Sequence, residues 1–286
     1  GLMPAAVRRT RRDPVDALFW LLGLSVFAFL FAPILVIVVH SFNEGRLLAS
    51  WDGFGLSAYS KAVHDPTIRG SVQVSLMSGV LATVVATALG TVGGVALARS
   101  RSRWALVLTA LLAITLVTPE IVDAVSILPW FVTLGTDAHL TLFNNGLVRL
   151  VVVHTSVALA TVTFMVRARM SGMDPAIEEA AADLYAAPWN RFRQVTLPMA
   201  RPSILAGALM AFTLSLDNTV VSSFVSLPGS TSWPVHLFGS LRTGLRPEVA
   251  AVSTAMLLLT LGSLVLVAIV LRRGGEGDLA STLAAS

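Results

Sequence analysis

The sequence has no cysteine, and only 13% of its 286 residues are charged. Without cysteine, the chain can form neither a disulfide framework nor a metal site built on thiolates. Soluble domains have about 25% charged residues, so this composition excludes an ordinary soluble domain. P-loop, HExxH and Gly-x-Ser-x-Gly sequences are also missing. The sequence therefore predicts no catalytic site and no metal site in this chain.

What the sequence does contain is hydrophobic residues, which make up 55% of the chain. Six apolar runs are each about 20 residues long, the length that spans a bilayer as a helix. They are Ala17–Val39, Gly70–Ala98, Trp104–Phe131, Asn145–Val166, Pro202–Val225 and Val249–Leu271. The sequence predicts an all-α integral membrane protein with six transmembrane helices within residues 17–271, because unpaired backbone is too costly in lipid.

The basic residues, almost all arginine, lie in short clusters beside the apolar runs, a pattern that indicates membrane topology rather than nucleic-acid binding. An N-terminus in the cytoplasm places most of the 20 basic residues inside. The first run follows four arginines like a signal peptide but has no small-residue cleavage site, so we expect it to remain. Segment 1–16 and tail 272–286 are then cytoplasmic, and we expect the Gly-, Ser- and Ala-rich tail to be disordered.

The segment between the first two runs, residues 41–69, is external in this orientation. It contains Trp51, Tyr59 and the amphipathic stretch LSAYSKAVHD. Two interpretations stay open: a connecting loop with interfacial aromatics, or a gate or docking element.

A polar stretch, EEAAADLYAAPWNRFRQVTLPMARPSI, occupies residues 178–204 between the fourth and fifth runs. Asp174 and Pro175 before it predict a helix start. We expect a break near Tyr185, a second short helix from Pro188 to about Val195, and an end at the following prolines. The alanines leave room for a partner protein and the glutamates can meet basic groups. A linker that covers helix ends is the alternative.

This stretch resembles the EAA signature of permease subunits in binding-protein-dependent ABC importers. Glu179, Ala180 and Ala181 match its start, and Val195, Leu197 and Pro198 match its end. The resemblance implies a type I importer permease whose coupling segment, 171–201 with Glu178 and Tyr185, docks on a cytoplasmic ATPase. Tyr185 stands where the family has glycine, so it must either find a negative φ or bear strain.

The resemblance also implies the partners: a homologous second permease, two ATPase copies that bind ATP and Mg²⁺, and an extracytoplasmic solute-binding protein, all at a bacterial cytoplasmic membrane. This chain itself is expected to bind no cofactor. Two further stretches, 118–128 and 214–254, are similar to spermidine/putrescine importer permeases. Of the family's paired acidic residues, Asp217 is present and Asn218 is neutral. A permease for iron, thiamine, opines or amino-acid-like solutes stays the alternative.

Charged groups within the apolar runs are functional candidates because a bilayer makes them costly. Rise along a straight helix puts Glu120 about 24 Å, Asp123 about 28 Å and Asp217 about 22 Å above the cytoplasmic ends. Trp130 shares a face with the first two and Phe224 with the third, so a cavity that they line would suit a polyamine. Alternatively, Glu120 and Asp123 simply emerge at the external mouth.

Two other features have structural interpretations. His154 is predicted to be an interhelical hydrogen-bonding residue, and the glycines of the second run are predicted to permit close helix packing. A secondary transporter or an intramembrane enzyme is the competing class. No inverted repeat supports the first, and the scattered histidines do not support the second.

Overall fold

The computed structural model describes residues 14–48 and 50–284. Residues 1–13 of the predicted N-terminal segment lie outside the described residues. Contacts divide the chain into two units, residues 1–61 with 245–254 and residues 62–244 with 255–286. Helices dominate the described residues, in which the β pairing is an isolated bridge between Asn43 and Phe54. The prediction of an all-α membrane protein is confirmed.

Five helical runs in the described residues are long and apolar enough to cross a bilayer, and a bent pair brings the number to six. The long helices are α1 (Pro14–His40), α3 (Pro66–Arg99), α6 (Gly146–Ser171), α9 (Leu197–Asp217) and α12 (Pro247–Ala284). The bent pair is α4 (Arg103–Val117) and α5 (Glu120–Val132). The short helices are α2 (Ser57–His64), α7 (Ala176–Asp183), α8 (Pro188–Arg191), α10 (Val220–Val225) and α11 (Trp233–Thr243).

The third predicted span is broken, so the expectation of one straight helix over Trp104–Phe131 is wrong. The helix direction bends by 108° between its two halves. Thr118 and Pro119 are both extended, with ψ of 129° and 133°. Proline has no N–H to donate, and its ring disfavours helical geometry at the residue before it. The heights that a straight helix assigned to Glu120 and Asp123 therefore do not apply.

The fifth span starts and ends earlier than predicted. Helix continues from Pro188 to Asp217 through Pro198 and Pro202, where we expected an interruption. A π-turn at Phe192–Thr196 precedes Pro198, and the Leu197 N–H donates to the Phe192 carbonyl. Such local π geometry, together with packing against neighbouring helices, lets membrane helices tolerate proline. The helix then stops at Asp217, and α10 follows as a separate turn.

The last helix, α12, continues to Ala284, through the segment for which composition predicted disorder. The segment contains glycine but no proline, so every residue can donate its backbone N–H to the helix.

The core of the larger unit is a bundle of α3, α6 and α9. Its buried side chains are mostly small or β-branched: Ala86, Ala158, Val162, Val166, Met170, Ala200 and Ala211. A Cβ on Gly90 would lie 2.8 Å from the Val162 Cβ, and one on Gly94 would lie 2.8 Å from the Thr163 carbonyl oxygen. The prediction that glycines of the second span allow close packing is confirmed for these two positions.

In the smaller unit, a turn after α1 is organised by the buried Asn43 side chain. Its Oδ1 accepts the N–H groups of Gly45 and Asp52, and its Nδ2 donates to the Leu47 and Ser50 carbonyls. Both ends of the amide are thus satisfied, as a buried polar group requires. The predicted amphipathic stretch is present as α2.

Candidate functional site

A cavity of about 270 Å³, here called the acidic cavity, opens beside α5. Its lining consists of Thr115, Asp123, Ser126, Ile127, Trp130, Val153, Ser156, Val157 and Val221. Four of these occur at steps of three and four along α5, which places them on one helix face. The face that the spacing predicted for Asp123, Ile127 and Trp130 is therefore present. The hydroxyls of Ser126 and Ser156 were not predicted, although Ser126 follows the same spacing.

Buried contacts hold α5 against α6 and α10. Ala124, Phe131, Leu150, Val153, Val221 and Val225 form one apolar cluster behind the cavity. At one end of the cluster the buried Arg149 donates from Nε to the Phe143 carbonyl at 2.5 Å, and its guanidinium lies 5.6 Å from the Phe131 ring centre. This cation–π contact is typical for arginine. The sequence analysis did not single out Arg149, which lies near the start of the fourth apolar run, and so missed this role.

Glu120 is separated from the acidic cavity. It lies exposed in the first turn of α5, where the positive end of the helix dipole favours a carboxylate, and it does not line the cavity. Asp123, one turn later, is half-buried and does line it. The two carboxylates that were predicted as a pair therefore have different surroundings.

A buried hydrogen-bond network joins α6, α9 and α10. Asn218 Oδ1 accepts from the Ser222 N–H at 3.1 Å and lies 3.2 Å from Ser222 Oγ. Because an amide oxygen only accepts, Ser222 Oγ donates to it and must accept from His154 Nε2, 2.8 Å away. His154 Nδ1 then accepts from the Ser215 hydroxyl at 2.5 Å. The interhelical role predicted for His154 is confirmed.

Asn218 was predicted to line the solute pathway, and its position does not agree with that prediction. Asn218 is only 5% exposed, and its side-chain oxygen accepts hydrogen bonds within the His154 network. The reason is that α9 ends at Asp217, so the extended backbone of Asn218 turns the amide inward. The serines around Asn218 in an apolar segment were the available signal for such a network.

Asp217 and Phe224, the other predicted pathway residues on this segment, are exposed and lie outside the lining of the acidic cavity. The break after Asp217 separates them onto two helices, so the continuous helical face predicted for them is absent. Asp217 thus stands at the open end of α9 next to the buried network.

The coupling segment begins as predicted. Asp174 Oδ1 accepts the Ala176 N–H at 2.9 Å ahead of α7. At the other end, the Tyr185 N–H donates to the Ala182 carbonyl and the Ala186 N–H to the Ala181 carbonyl. These two bonds form a Schellman motif, which needs a left-handed residue at its centre and usually has glycine there. Tyr185 adopts φ of 57°, so it bears the strain, which costs about 1–2 kcal/mol.

The residues expected to meet the ATPase differ in exposure. Glu179 and Ala180 are exposed, Ala181 is partly buried, and Leu197 and Pro198 are half-buried at the base of α9. Glu178 is engaged within the chain: its Oε2 lies 3.0 Å from Arg99 Nε, and its Oε1 accepts from the Thr196 hydroxyl at 2.8 Å. Only one of the two adjacent glutamates is therefore open to a partner.

Large apolar side chains are exposed on the same segment, at Ile177, Leu184, Tyr185 and Trp189. Leu184 and Tyr185 are 82% and 97% exposed. Several large apolar side chains exposed on one short segment, here called the apolar patch, are typical of a protein interface or a membrane contact.

Comparison with known proteins agrees with this architecture. A family described as "Binding-protein-dependent transport system inner membrane component" matches residues 90–273. The chain is 37% identical to the putrescine transport system permease protein PotI of Escherichia coli (strain K12), with 86% of each chain covered. It is 35% identical to the spermidine/putrescine transport system permease protein PotC of Haemophilus influenzae, with 88% of this chain and 95% of that protein covered.

A solved structure shares the fold. The crystal structure of a bacterial ABC transporter involved in the import of the acidic polysaccharide alginate matches with a TM-score of 0.64 at 18% identity, covering 92% of this chain and 98% of that chain. The resemblance that the EAA-like segment indicated is confirmed. This multi-pass inner membrane protein belongs to the permease components of binding-protein-dependent ABC importers.

Proposed function

We propose that the chain is the membrane-spanning subunit of an ATP-driven importer that moves polyamines such as spermidine and putrescine into the cytoplasm. The observation that carries this proposal is the acidic cavity, where the Asp123 carboxylate and the Trp130 ring lie on one face of α5. The relatives named for putrescine and spermidine transport support the same solute class.

The acidic cavity has the chemistry that a polyamine needs. A carboxylate and hydroxyls can bind an ammonium group, an indole face attracts a cation, and the valines and Ile127 suit the methylene chain. The volume of about 270 Å³ lies just below the range of about 300–1,000 Å³ that is typical of ligand pockets, so the cavity suits a slender solute. Asp217 and Phe224, which are exposed outside this cavity, extend the pathway in this proposal.

Transport needs partners that this chain does not supply. In the proposed assembly a second, homologous permease faces this one, an extracytoplasmic binding protein delivers the solute, and two ATPase copies bind ATP and Mg²⁺. The coupling segment docks on the ATPase through Glu179, Ala180 and Ala181, and through the apolar patch at Tyr185 and its neighbours. In this proposal the coupling segment and both termini lie in the cytoplasm, an orientation that the clustered arginines support.

Alternating access is the proposed mechanism. ATP binding closes the ATPases, the coupling segments move together, and the cavity turns outward to accept the solute; hydrolysis then reverses the change. The permease contributes shape and charge, and the bond cleavage takes place in the ATPase.

The proposal predicts that Asp123→Asn weakens polyamine binding in the reconstituted complex. Losing a charge-assisted hydrogen bond costs about 1.5–3 kcal/mol, so the spermidine concentration for half-maximal stimulation of ATP hydrolysis should rise about 10- to 150-fold. Asp217→Asn should have a smaller effect because Asp217 is exposed outside the cavity. Asp137→Asn, which removes an exposed carboxylate outside the cavity lining, is the matched control.

The alternative solutes are distinguished by the same measurement. A complex that assembles and hydrolyses ATP but responds to neither spermidine nor putrescine would contradict the polyamine assignment and leave the importer standing. The neutral Asn218 does not favour that outcome, since its side chain is buried in the His154 network and removes no charge from the cavity.

A further inference from the structure

Glu178 lies where three helical elements meet. Its Oε2 is 3.0 Å from Nε of Arg99, in the last turn of α3, and its Oε1 accepts from the hydroxyl of Thr196, in the π-turn below α9. The Arg99 and Glu178 side chains are only 25% and 21% exposed, and Thr196 is buried at 4%. Water therefore competes weakly for these contacts.

Arg99 and Glu178 each carry the charge that the nearest helix end favours, independently of any partner protein. Arg99 is near the carboxyl end of α3, whose dipole favours a cation, and Glu178 is in the first turn of α7, whose dipole favours an anion. Both oxygens of the carboxylate already have a partner in the chain. Glu178 is thus equipped to hold α7 in place rather than to bind the ATPase.

We propose that Arg99, Glu178 and Thr196 form a joint that makes α7 move as one body with α3 and α9. This inference rests on the proposed function, in which α7 receives the movement of the ATPase. It assigns coupling to Arg99, which lies outside the EAA-like stretch, and to Thr196, which lies within it between the matched residues Val195 and Leu197.

The covalent links of α7 cannot do this alone. Residues 172–175 connect it to α6, and residues 184–187, with Tyr185 in the left-handed conformation, connect it to α8. A body held only at its two ends can still rotate about the line between them. The joint adds a third point of attachment, which removes that rotation.

Beyond the joint the movement reaches the closely packed helices α3 and α6. Gly90 and Gly94 bring α3 so close to α6 that an added Cβ would come within 2.8 Å of it. An element packed in this way responds as a unit rather than by gradual deformation. A push on α7 therefore reaches the three-helix core through α3 as well as through α9.

The test compares Arg99→Gln and Glu178→Gln in the full complex with its native partners. We expect the ATPase to remain bound in both, while polyamine transported per ATP hydrolysed falls roughly five- to tenfold, a common size for coupling between sites. The charge exchange Arg99→Glu with Glu178→Arg should restore part of the loss, because it forms the ion pair again but removes the acceptor of the Thr196 hydroxyl and opposes both helix dipoles. Arg101→Gln, which removes an exposed arginine two residues away, is the matched control and should behave as the wild type.

A second readout does not depend on the solute. Because the chain has no cysteine, a spin label at Asp183→Cys reports on α7 alone when the partner chains lack reactive cysteines. Arg99→Gln should make this label more mobile, and Arg101→Gln should not. This result would support the joint even if the wild-type complex transported no polyamine.

Two outcomes would overturn the proposal. If Glu178→Gln uncouples the complex while Arg99→Gln leaves both coupling and label mobility unchanged, Glu178 acts on the ATPase directly. If the charge exchange is as defective as the single variants while the ATPase stays bound, the ion pair is not the element that transmits movement.

Discussion

The α3–α6–α9 bundle and the bent pair α4–α5 belong to the same unit but are built in opposite ways. The bundle is closely packed, with small residues at its contacts and Val162, Val166 and Met170 fully buried. The bent pair exposes most of its large apolar side chains, among them Leu106 at 75% and Val117 at 82%. The chain alone therefore determines the shape of the bundle, whereas α4–α5 depends on its surroundings.

Exposed leucine does not by itself identify those surroundings, because lipid is as apolar as leucine. The acidic cavity is more informative. Asp123 on α5 cannot face lipid cheaply, since a charged group within a bilayer needs water or a protein partner. The comparison thus indicates that the cavity face of α5 is completed by another protein or by water, as the proposed permease pair requires.

The largest effect is expected in the bundle. Gly94→Ala places a Cβ 2.8 Å from the Thr163 carbonyl oxygen, and that backbone atom cannot move without displacing α6. We expect the free energy of unfolding in detergent micelles to fall by about 1–3 kcal/mol. Gly93→Ala is the matched control, because its nearest contact is an ordinary 3.6 Å and its change should stay within about 0.5 kcal/mol. Equal losses at both positions would show that the close contact does not determine the packing.

A medium effect is expected in the network that joins the bundle to α10, the short helix that packs against α5. Ser222→Ala removes the acceptor of His154 and a donor to Asn218 in one step. Interhelical hydrogen bonds in membranes contribute about 0.6–2 kcal/mol, so the unfolding free energy should fall by that amount. Ser223→Ala, next to it, removes an exposed hydroxyl bonded only within α10 and should change little. A similar loss in both variants would argue against the network.

The sequence predicts the bundle better than the bent pair, for a physical reason. A long apolar run indicates a membrane span, and the glycines of α3 indicate close helix packing. The number of spans and the role of Gly90 and Gly94 could therefore be predicted. The break at Thr118–Pro119 was visible as a proline, but Pro198 and Pro202 carry the same signal and do not break their helix. Packing and π geometry decide between these outcomes, and they are tertiary properties.

The functional residues show the same division. The spacing of Asp123, Ile127 and Trp130 predicted their shared face because it is local to one helix. Asp217 is exposed and its neighbour Asn218 is buried because Asn218 belongs to the network of His154, which is distant in the sequence. The contacts of Glu178 with Arg99 and Thr196 likewise join residues that are far apart in the sequence. Neither could be predicted from one chain without its contacts.

The smallest effect on stability is expected on the open face of α5. Ile121 is 56% exposed and does not line the acidic cavity, so Ile121→Ala should change the unfolding free energy of the isolated chain by no more than about 0.5 kcal/mol. Leu150→Ala, which shortens a fully buried side chain behind α5, is the positive control and should cost about 2–5 kcal/mol. If a second permease covers this face, Ile121→Ala should also reduce the amount of that permease that copurifies. If lipid covers it, copurification should not change, because the Ile121 side chain then does not contact the second permease. A clear loss of stability in the isolated chain would contradict the comparison itself, since α5 would then be held by contacts within the chain.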